Sequence, residues 1–127
     1  MARKRGPGPE EILQKQVVTW LHVALPDAVG FWFHVPNGGK RTKAEAGIFK
    51  AMGVRSGVPD LCFINPDGKA FFIEMKAPGR RSDTSENQDA VLGTLSNLNA
   101  SVAVCDSLSS VETTLKEWGF KLKAKLQ

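Results

Sequence analysis

The 127-residue sequence predicts an α/β domain in which a mixed β-sheet is flanked by helices. Two observations support this prediction. The apolar segments 61–64, 70–75 and 101–105 are short and nearly uninterrupted, which is typical of strands covered on both faces. The segments around them carry apolar residues at helical spacing and are bounded by Pro, Ser, Thr or Gly. The predicted order of elements is therefore α-β-α-β-β-α-β-α.

Local signals in the sequence justify each element in turn. Pro9 suits the first turn of a helix, and Pro26 marks its end. Thr42 can cap the second helix, and Gly53 stops it. The predicted helices span about 9–25, 43–52, 86–99 and 108–118, and the predicted strands span 31–35, 61–64, 70–75 and 101–105. The resulting domain is expected to occupy residues 9–119.

The two ends of the chain are basic. Residues 1–8 read as a disordered basic arm, and residues 120–127 read as a flexible basic tail. The N-terminus lacks the apolar segment of a secretory signal. Cys62 and Cys105 are far apart and each lies in an apolar run, so we expect two buried, reduced thiols and a cytoplasmic protein without a membrane span.

A local basic cluster contributes to the formal net charge of +4. It lies between the second predicted turn and the second predicted strand, and it contains Lys40, Arg41, Lys43, Lys50 and Arg55. Two interpretations remain open from charge alone. The cluster is either an ordinary solvated surface or a contact for a polyanion such as nucleic acid.

The turn at residues 65–68 fixes the register of a predicted hairpin. Centring the hairpin there pairs residue 64 with 70 and residue 62 with 72. One step further, Asp60 and Glu74 become cross-strand neighbours, with Cβ atoms ~5 Å apart. The hairpin therefore brings two carboxylates together at its open end.

These two carboxylates, with a lysine beside them, have the composition of a metal site. Lys76 lies two residues beyond Glu74 and points to the same face. Two like charges at this distance repel, and a hard divalent cation relieves the repulsion. The backbone carbonyl of Met75 can add another oxygen ligand. The alternative is a surface hairpin with an ordinary ion pair, which would contribute little.

The first helix points polar residues toward the same place. Stepping 100° per residue puts Glu10 and Gln14 on the apolar, inward face, with Glu11 at its margin. Glu10 either reaches the metal shell or only interacts with the helix dipole. Gln88, early in the third helix, either orients groups in the site or lies on the helix surface.

The order of these motifs resembles the VRR-NUC family of the PD-(D/E)xK nuclease superfamily. The resemblance covers roughly residues 10–118 and depends on five elements. They are a first-helix acid, a turn after the first strand, a Gly-x-Pro-Asp-Leu motif, a Glu-x-Lys motif and a helix-borne Gln. In this sequence they are Glu10 or Glu11, Pro36 to Gly38, Gly57 to Leu61, Glu74 to Lys76, and Gln88.

The resemblance implies a restriction-endonuclease-like core and a role for each motif residue. It implies that Asp60, Glu74 and the Met75 carbonyl bind Mg²⁺ or Mn²⁺, that Glu10 joins them through water, and that Lys76 is the catalytic lysine. Gln88 supports the site. The residues expected to face DNA are His34, Asn37, Lys40, Arg41, Lys43 and Arg55.

The resemblance also implies a function. Stand-alone VRR-NUC domains of this length resemble phage or bacterial proteins, and they are expected to cut branched DNA, such as four-way (Holliday) junctions, as homodimers. The expected protein is thus a metal-dependent DNA endonuclease without a small-molecule organic cofactor. Two alternatives remain on the same fold, namely a DNA-binding or assembly module that does not cut, and an exonuclease.

Overall fold

A computed structural model describes residues 6–36 and 42–126. The elements in this part of the chain follow the predicted order. The helices are α1 (Pro9–Ala24), α2 (Lys43–Ala51), α3 (Glu86–Asn97) and α4 (Leu108–Glu117), and the strands are β1 (Phe31–His34), β2 (Leu61–Ile64), β3 (Ala70–Met75) and β4 (Ser101–Cys105). The predicted boundaries agree with these to within two residues.

The strands form one mixed sheet with the order β1-β2-β3-β4. β2 is antiparallel to both β1 and β3, whereas β4 runs parallel to β3. The predicted hairpin register is confirmed, because Ile64 pairs with Ala70 and Cys62 pairs with Phe72. The next positions on that face of the hairpin are Asp60 and Glu74, which the register directs to its open end.

Side-chain caps explain where three of the helices begin. Thr42 accepts a hydrogen bond from the Glu45 N–H at the start of α2, as predicted. α3 and α4 each begin with a capping box, in which the first residue is a serine, Ser85 or Ser107. α1 has no side-chain cap, but Pro9 begins it and two glutamates lie in its first turn.

One face of the sheet carries the main core. Side chains alternate between the two faces of a strand, and Leu61, Phe63 and Ile73 share the face covered by α1 and α4. These residues are fully buried, as are Val17 of α1 and Leu115 of α4. This packing fixes α1 across the sheet, and so determines where its polar residues lie.

The second face is covered only in part, which corrects the expectation of a sheet enclosed on both sides. α3 lies over β4 on this face, but no residue of α3 is buried. Phe31 and Phe33 of β1 remain 52% and 42% exposed. α2 does not cover them, and none of its residues is buried either. The apolar segments that predict two covering layers are β2, β3 and β4, and it is β1, outside that set, that lacks the second layer.

The expectation of a flexible C-terminal tail is wrong for residues 120–126. Phe120 is 6% exposed and meets the rings of Phe63 and Phe71 edge to face. The Lys123 N–H donates to the Ala24 carbonyl at 2.7 Å. The segment therefore seals one end of the core, while its lysines stay exposed.

Two further expectations concern the thiols and the membrane. Cys62 and Cys105 are free and buried, as predicted. Among the described helices, none has the length and apolar character needed to cross a bilayer.

Candidate functional site

Asp60 lies at the open end of the hairpin and is held by backbone hydrogen bonds. Its Oδ2 accepts the Met75 N–H at 2.7 Å, which joins it to the end of β3. Its backbone carbonyl accepts the Val35 N–H at 2.8 Å, which joins it to the end of β1. Three strand ends thus fix both the main chain and the side chain of this acid.

Glu74 is the buried member of the carboxylate pair, with only 2% of its surface exposed. Burial raises the pKa of Glu74 to about 9, and the hydrogen bond that protonated Glu74 donates to Asp60 and the Asp60 charge act in the same direction. Lys76 lowers this pKa, but its effect is smaller. The pair therefore retains a proton at neutral pH unless a cation takes its place.

Lys76 is also nearly buried, at 9% exposure, and is oriented by α3. Its Nζ donates to Oε1 of Gln88 at 2.9 Å. The Gln88 Nε2 donates a longer hydrogen bond, 3.4 Å, to Oε2 of Glu74. Gln88 thus contacts both charged residues of the Glu-x-Lys motif.

Gln88 has a second role in the capping box of α3. Its Oε1 accepts the Ser85 N–H at 2.9 Å, and its own N–H donates to Ser85 Oγ at 3.1 Å. The same oxygen therefore closes the first turn of α3 and receives the Lys76 ammonium. Because the cap fixes the side chain, the helix terminus fixes the lysine.

Glu10 is the first-helix acid that interacts with this cluster. Burial raises the pKa of Glu10, the Lys76 ammonium lowers it and the Asp60 charge raises it, so Glu10 lies within electrostatic reach of both. Glu11 instead forms an exposed ion pair with Lys15 at 2.9 Å. The helical phase that favoured Glu10 over Glu11 agrees with this arrangement.

His34 connects α1 and β1 to Asp60. Its Nδ1 lies 2.8 Å from the Asp60 carbonyl oxygen, and an oxygen of this kind can only accept. Nδ1 therefore carries a proton and donates to this carbonyl. The Gln14 Nε2 lies 3.1 Å from the same Nδ1, which is a close contact rather than a hydrogen bond, because both nitrogens are donors when Nδ1 carries the proton. Gln14 and His34, which the sequence places far apart, thus meet beside Asp60.

An open groove of about 1200 Å³ begins at the site and follows α1 along β1. Its near end is lined by Glu10 and Asp60, and its far end by His22 and Trp32. We call it the α1–β1 groove. Sequence reasoning did not find it, because it depends on how far α1 stands from the edge strand.

Comparisons with known proteins identify the family. The profile of the VRR-NUC domain matches residues 9–108. The chain belongs to the VRR-NUC family. A solved structure named "VRR_NUC domain protein" has the same fold, with a TM-score of 0.68 and 22% sequence identity over 91% of each chain. A search of curated protein sequences gives no significant match. VRR-NUC is a family of nucleases, for which DNA is the partner.

The donor set of this VRR-NUC domain fits a hard divalent ion. Within residues 6–36 and 42–126, no group of three or more His, Cys, Asp and Glu side chains is close enough together to bind a metal ion. Mg²⁺, however, takes only one or two protein carboxylates and fills its shell with water and substrate oxygens. Asp60 and Glu74 supply that number. The raised pKa of Glu74 reflects its burial and its closeness to Asp60, and a cation between the two carboxylates would offset both effects.

Two of the predicted DNA-facing residues lie in or just after α2. Lys43 begins α2 and Arg55 follows it, and both are exposed. Asn37, Lys40 and Arg41 lie outside the described residues. The loop after Lys76 holds two exposed arginines that sequence reasoning passed over, Arg80 and Arg81, which form ion pairs with Asp83 and Asp106 respectively. Their position could have been noticed, since they lie within five residues of the Glu-x-Lys motif.

The glycine of the Gly-x-Pro-Asp motif has a steric role. Gly57 has a φ of +81°, and a Cβ placed there would lie 2.7 Å from the Asn87 carbonyl oxygen. Asn87 also donates to Ser56 Oγ. The chain leading to Asp60 therefore packs tightly against the first turn of α3.

Proposed function

We propose that this VRR-NUC domain is a Mg²⁺- or Mn²⁺-dependent DNA endonuclease that prefers branched DNA such as four-way junctions. The observation that carries the proposal is the pairing of half-buried Asp60 with buried Glu74 beside the buried Lys76, with Gln88 between the lysine and the glutamate. Charged groups are costly to bury, and they persist where chemistry requires them.

Four groups would hold the metal. Asp60 and Glu74 would supply carboxylate oxygens, Met75 its backbone carbonyl, and Glu10 a link through water. The chemistry that a divalent ion provides in such a site is to lower the pKa of water and to offset charge on the scissile phosphate. The protein supplies the orientation of these groups, through the backbone hydrogen bonds to Asp60.

Lys76 would act on the charge that develops at the phosphate. Its ammonium has three donors, and Gln88 occupies one of them at 2.9 Å. The remaining donors can reach a phosphate oxygen or the attacking water. Because the side chain is almost enclosed, this hydrogen bonding would be stronger than in bulk water.

Replacing Lys76 tests the proposed mechanism. We expect Lys76→Ala to reduce cleavage of a four-way junction by about 10²-fold or more, because a preorganised donor to the transition state is lost. Lys121→Ala, which removes an exposed lysine of the C-terminal segment, is the matched control. Cleavage is measured with junction, flap, linear and closed circular DNA, in Mn²⁺ and in EDTA.

The other functions on this fold give different results in the same assay. Activity that survives EDTA, or equal activity in Lys76→Ala and the control, would refute the mechanism. DNA binding without any cut in Mn²⁺ would indicate a binding or assembly module. Cleavage of linear DNA with a closed circle left intact would indicate an exonuclease.

We also propose that the protein acts as a homodimer in the cytoplasm of a bacterium or a phage-infected cell. Apolar exposure supports the dimer. Ile48 of α2 and Met52, the residue that caps its C-terminus, lie about one turn apart and are 60% and 78% exposed, and Phe31 and Phe33 are exposed on β1. A two-fold dimer would bring two cutting sites to opposed strands of a junction. The buried free thiols support the compartment.

A further inference from the structure

The far end of the α1–β1 groove carries an aromatic pair. His22 of α1 and Trp32 of β1 have ring centroids 4.9 Å apart and meet edge to face, with an interplanar angle of 66°. Since the rings are not stacked on each other, the pair leaves ring surface for a third flat group. Trp32 is half-buried against the core, which makes it a rigid platform.

The groove connects this pair to the acid site without a break. Trp32 and His34 are two residues apart on β1 and line the same groove, so they are separated by ~7 Å along the strand. That distance equals about two stacked nucleotides of one DNA strand. His34 in turn donates to the carbonyl of Asp60. A strand whose phosphate lies at Asp60 would thus have a nearby base at Trp32.

The lining of the groove changes along its length. The near end has the acids Glu10 and Asp60, which suit a metal-neutralised phosphate. The far end has Thr19, His22 and Trp32, with Lys15 between the two ends and no carboxylate beyond Glu11. The groove therefore offers a place for one phosphate at its near end and a platform for one base at its far end.

We propose that the α1–β1 groove binds the unpaired nucleotides next to the scissile phosphate, with one base stacked on the Trp32–His22 pair. This deepens the proposed function and rests on it, because it identifies the substrate as DNA with an unpaired strand at the cut. Aromatic stacking tolerates any base, so the groove would select DNA structure rather than sequence. Junctions and flaps can supply such a strand, whereas intact duplex cannot.

Binding measured without cleavage tests the groove separately from the nuclease activity. The probes are a duplex with a single-stranded arm and the same duplex with blunt ends, both titrated in Ca²⁺. We expect Trp32→Leu to weaken binding of the armed DNA by about tenfold, through loss of one stacked base, and to leave the blunt duplex nearly unchanged. Trp32→Phe should restore most of the affinity.

Two more variants guard against a folding defect. His22 lies on the exposed surface of α1, and His22→Ala should selectively weaken binding of the DNA with the single-stranded arm. Val23 is 65% exposed and lies outside the groove, so Val23→Ala should leave this binding unchanged. The fluorescence of 2-aminopurine placed near the cut should be quenched by the wild type and not by Trp32→Leu. Equal losses for both DNAs, or no quenching at any position, would overturn the proposal. Selective binding of the armed DNA without cleavage would support the binding role of the groove and refute the nuclease activity.

Discussion

The charge of Glu74 depends on what fills the space between it and Asp60. Its pKa is raised to about 9, chiefly by burial, whereas the unfolded chain would ionise it near the ordinary value of 4.5. Between these values the folded protein holds a proton that the unfolded protein releases. The contribution of Glu74 to stability therefore falls as the pH rises from about 4.5 toward 9, by at most ~1.4 kcal/mol per pH unit.

Substitution of Glu74 by glutamine removes this proton uptake. In EDTA we expect Glu74→Gln to be more stable than the wild type, with an advantage that grows between about pH 5 and about pH 8 to the order of 2 kcal/mol. Chemical unfolding at the two pH values measures it, with Glu117→Gln at an exposed position as the control. An advantage that is the same at both pH values would mean that Glu74 titrates normally.

The residues of the site differ in how far the sequence predicts them. Asp60, Glu74 and Lys76 follow from the alternation of two strands around one turn, and Glu10 follows from helical phase. The hydrogen bond from His34 to the Asp60 carbonyl could not be predicted from the sequence, because it joins strand ends that are 26 residues apart in the chain. Trp32 was visible only as a strand aromatic, since its place in a groove depends on the packing of α1.

At the scale of elements, α3 contributes its N-terminus rather than its apolar face. No α3 residue is buried, yet Gln88 joins the cap of the helix to Lys76. The sequence predicts α3 and its position in the order, but it does not predict that one side chain serves both purposes. Substitutions should therefore separate the effect of Gln88 on the helix cap from its effect on Lys76.

Two substitutions at the start of α3 separate these roles. Ser85→Ala and Gln88→Ala each remove half of the capping box, and each should cost ~1 kcal/mol of stability. Only Gln88→Ala also frees Lys76, so we expect its cleavage rate to fall by about tenfold, the equivalent of one hydrogen bond. Cleavage rates and unfolding curves are measured together.

Ser107→Ala, in the matching capping box of α4, is the control for stability alone. An equal fall in cleavage for Ser85→Ala would mean that helix fraying, and not the contact with Lys76, is responsible.

At the scale of the whole molecule, the fold buries one face of its sheet well and the other incompletely. The sequence predicts the order of all eight elements and the hairpin register. It did not predict the open face, because the apolar strand β1 carries no mark of which layer would cover it. The exposed apolar residues of β1 and α2 are where a second copy would bind.

Replacing two of these residues tests the dimer. Ile48→Glu with Met52→Glu puts two charges on the apolar side of α2, and we expect the protein to become monomeric, as measured by light scattering after gel filtration. Val23→Glu, at an equally exposed position on α1, should leave the dimer intact. A wild type that is monomeric at every concentration would exclude the dimer, and an intact dimer in the double variant would exclude this surface.

The proposed mechanism depends on Asp60 and Glu74 forming a divalent-metal centre. Isothermal titration of Mn²⁺ into the protein measures it most directly, with Asp60→Asn and Glu74→Gln as variants and Glu117→Gln as the control. We predict one binding event in the wild type and the control, with protons released as the metal replaces the one held by Glu74. Both site variants should lose this event. Mn²⁺ binding that is undetectable in the wild type, or unchanged in the two variants, would contradict the account.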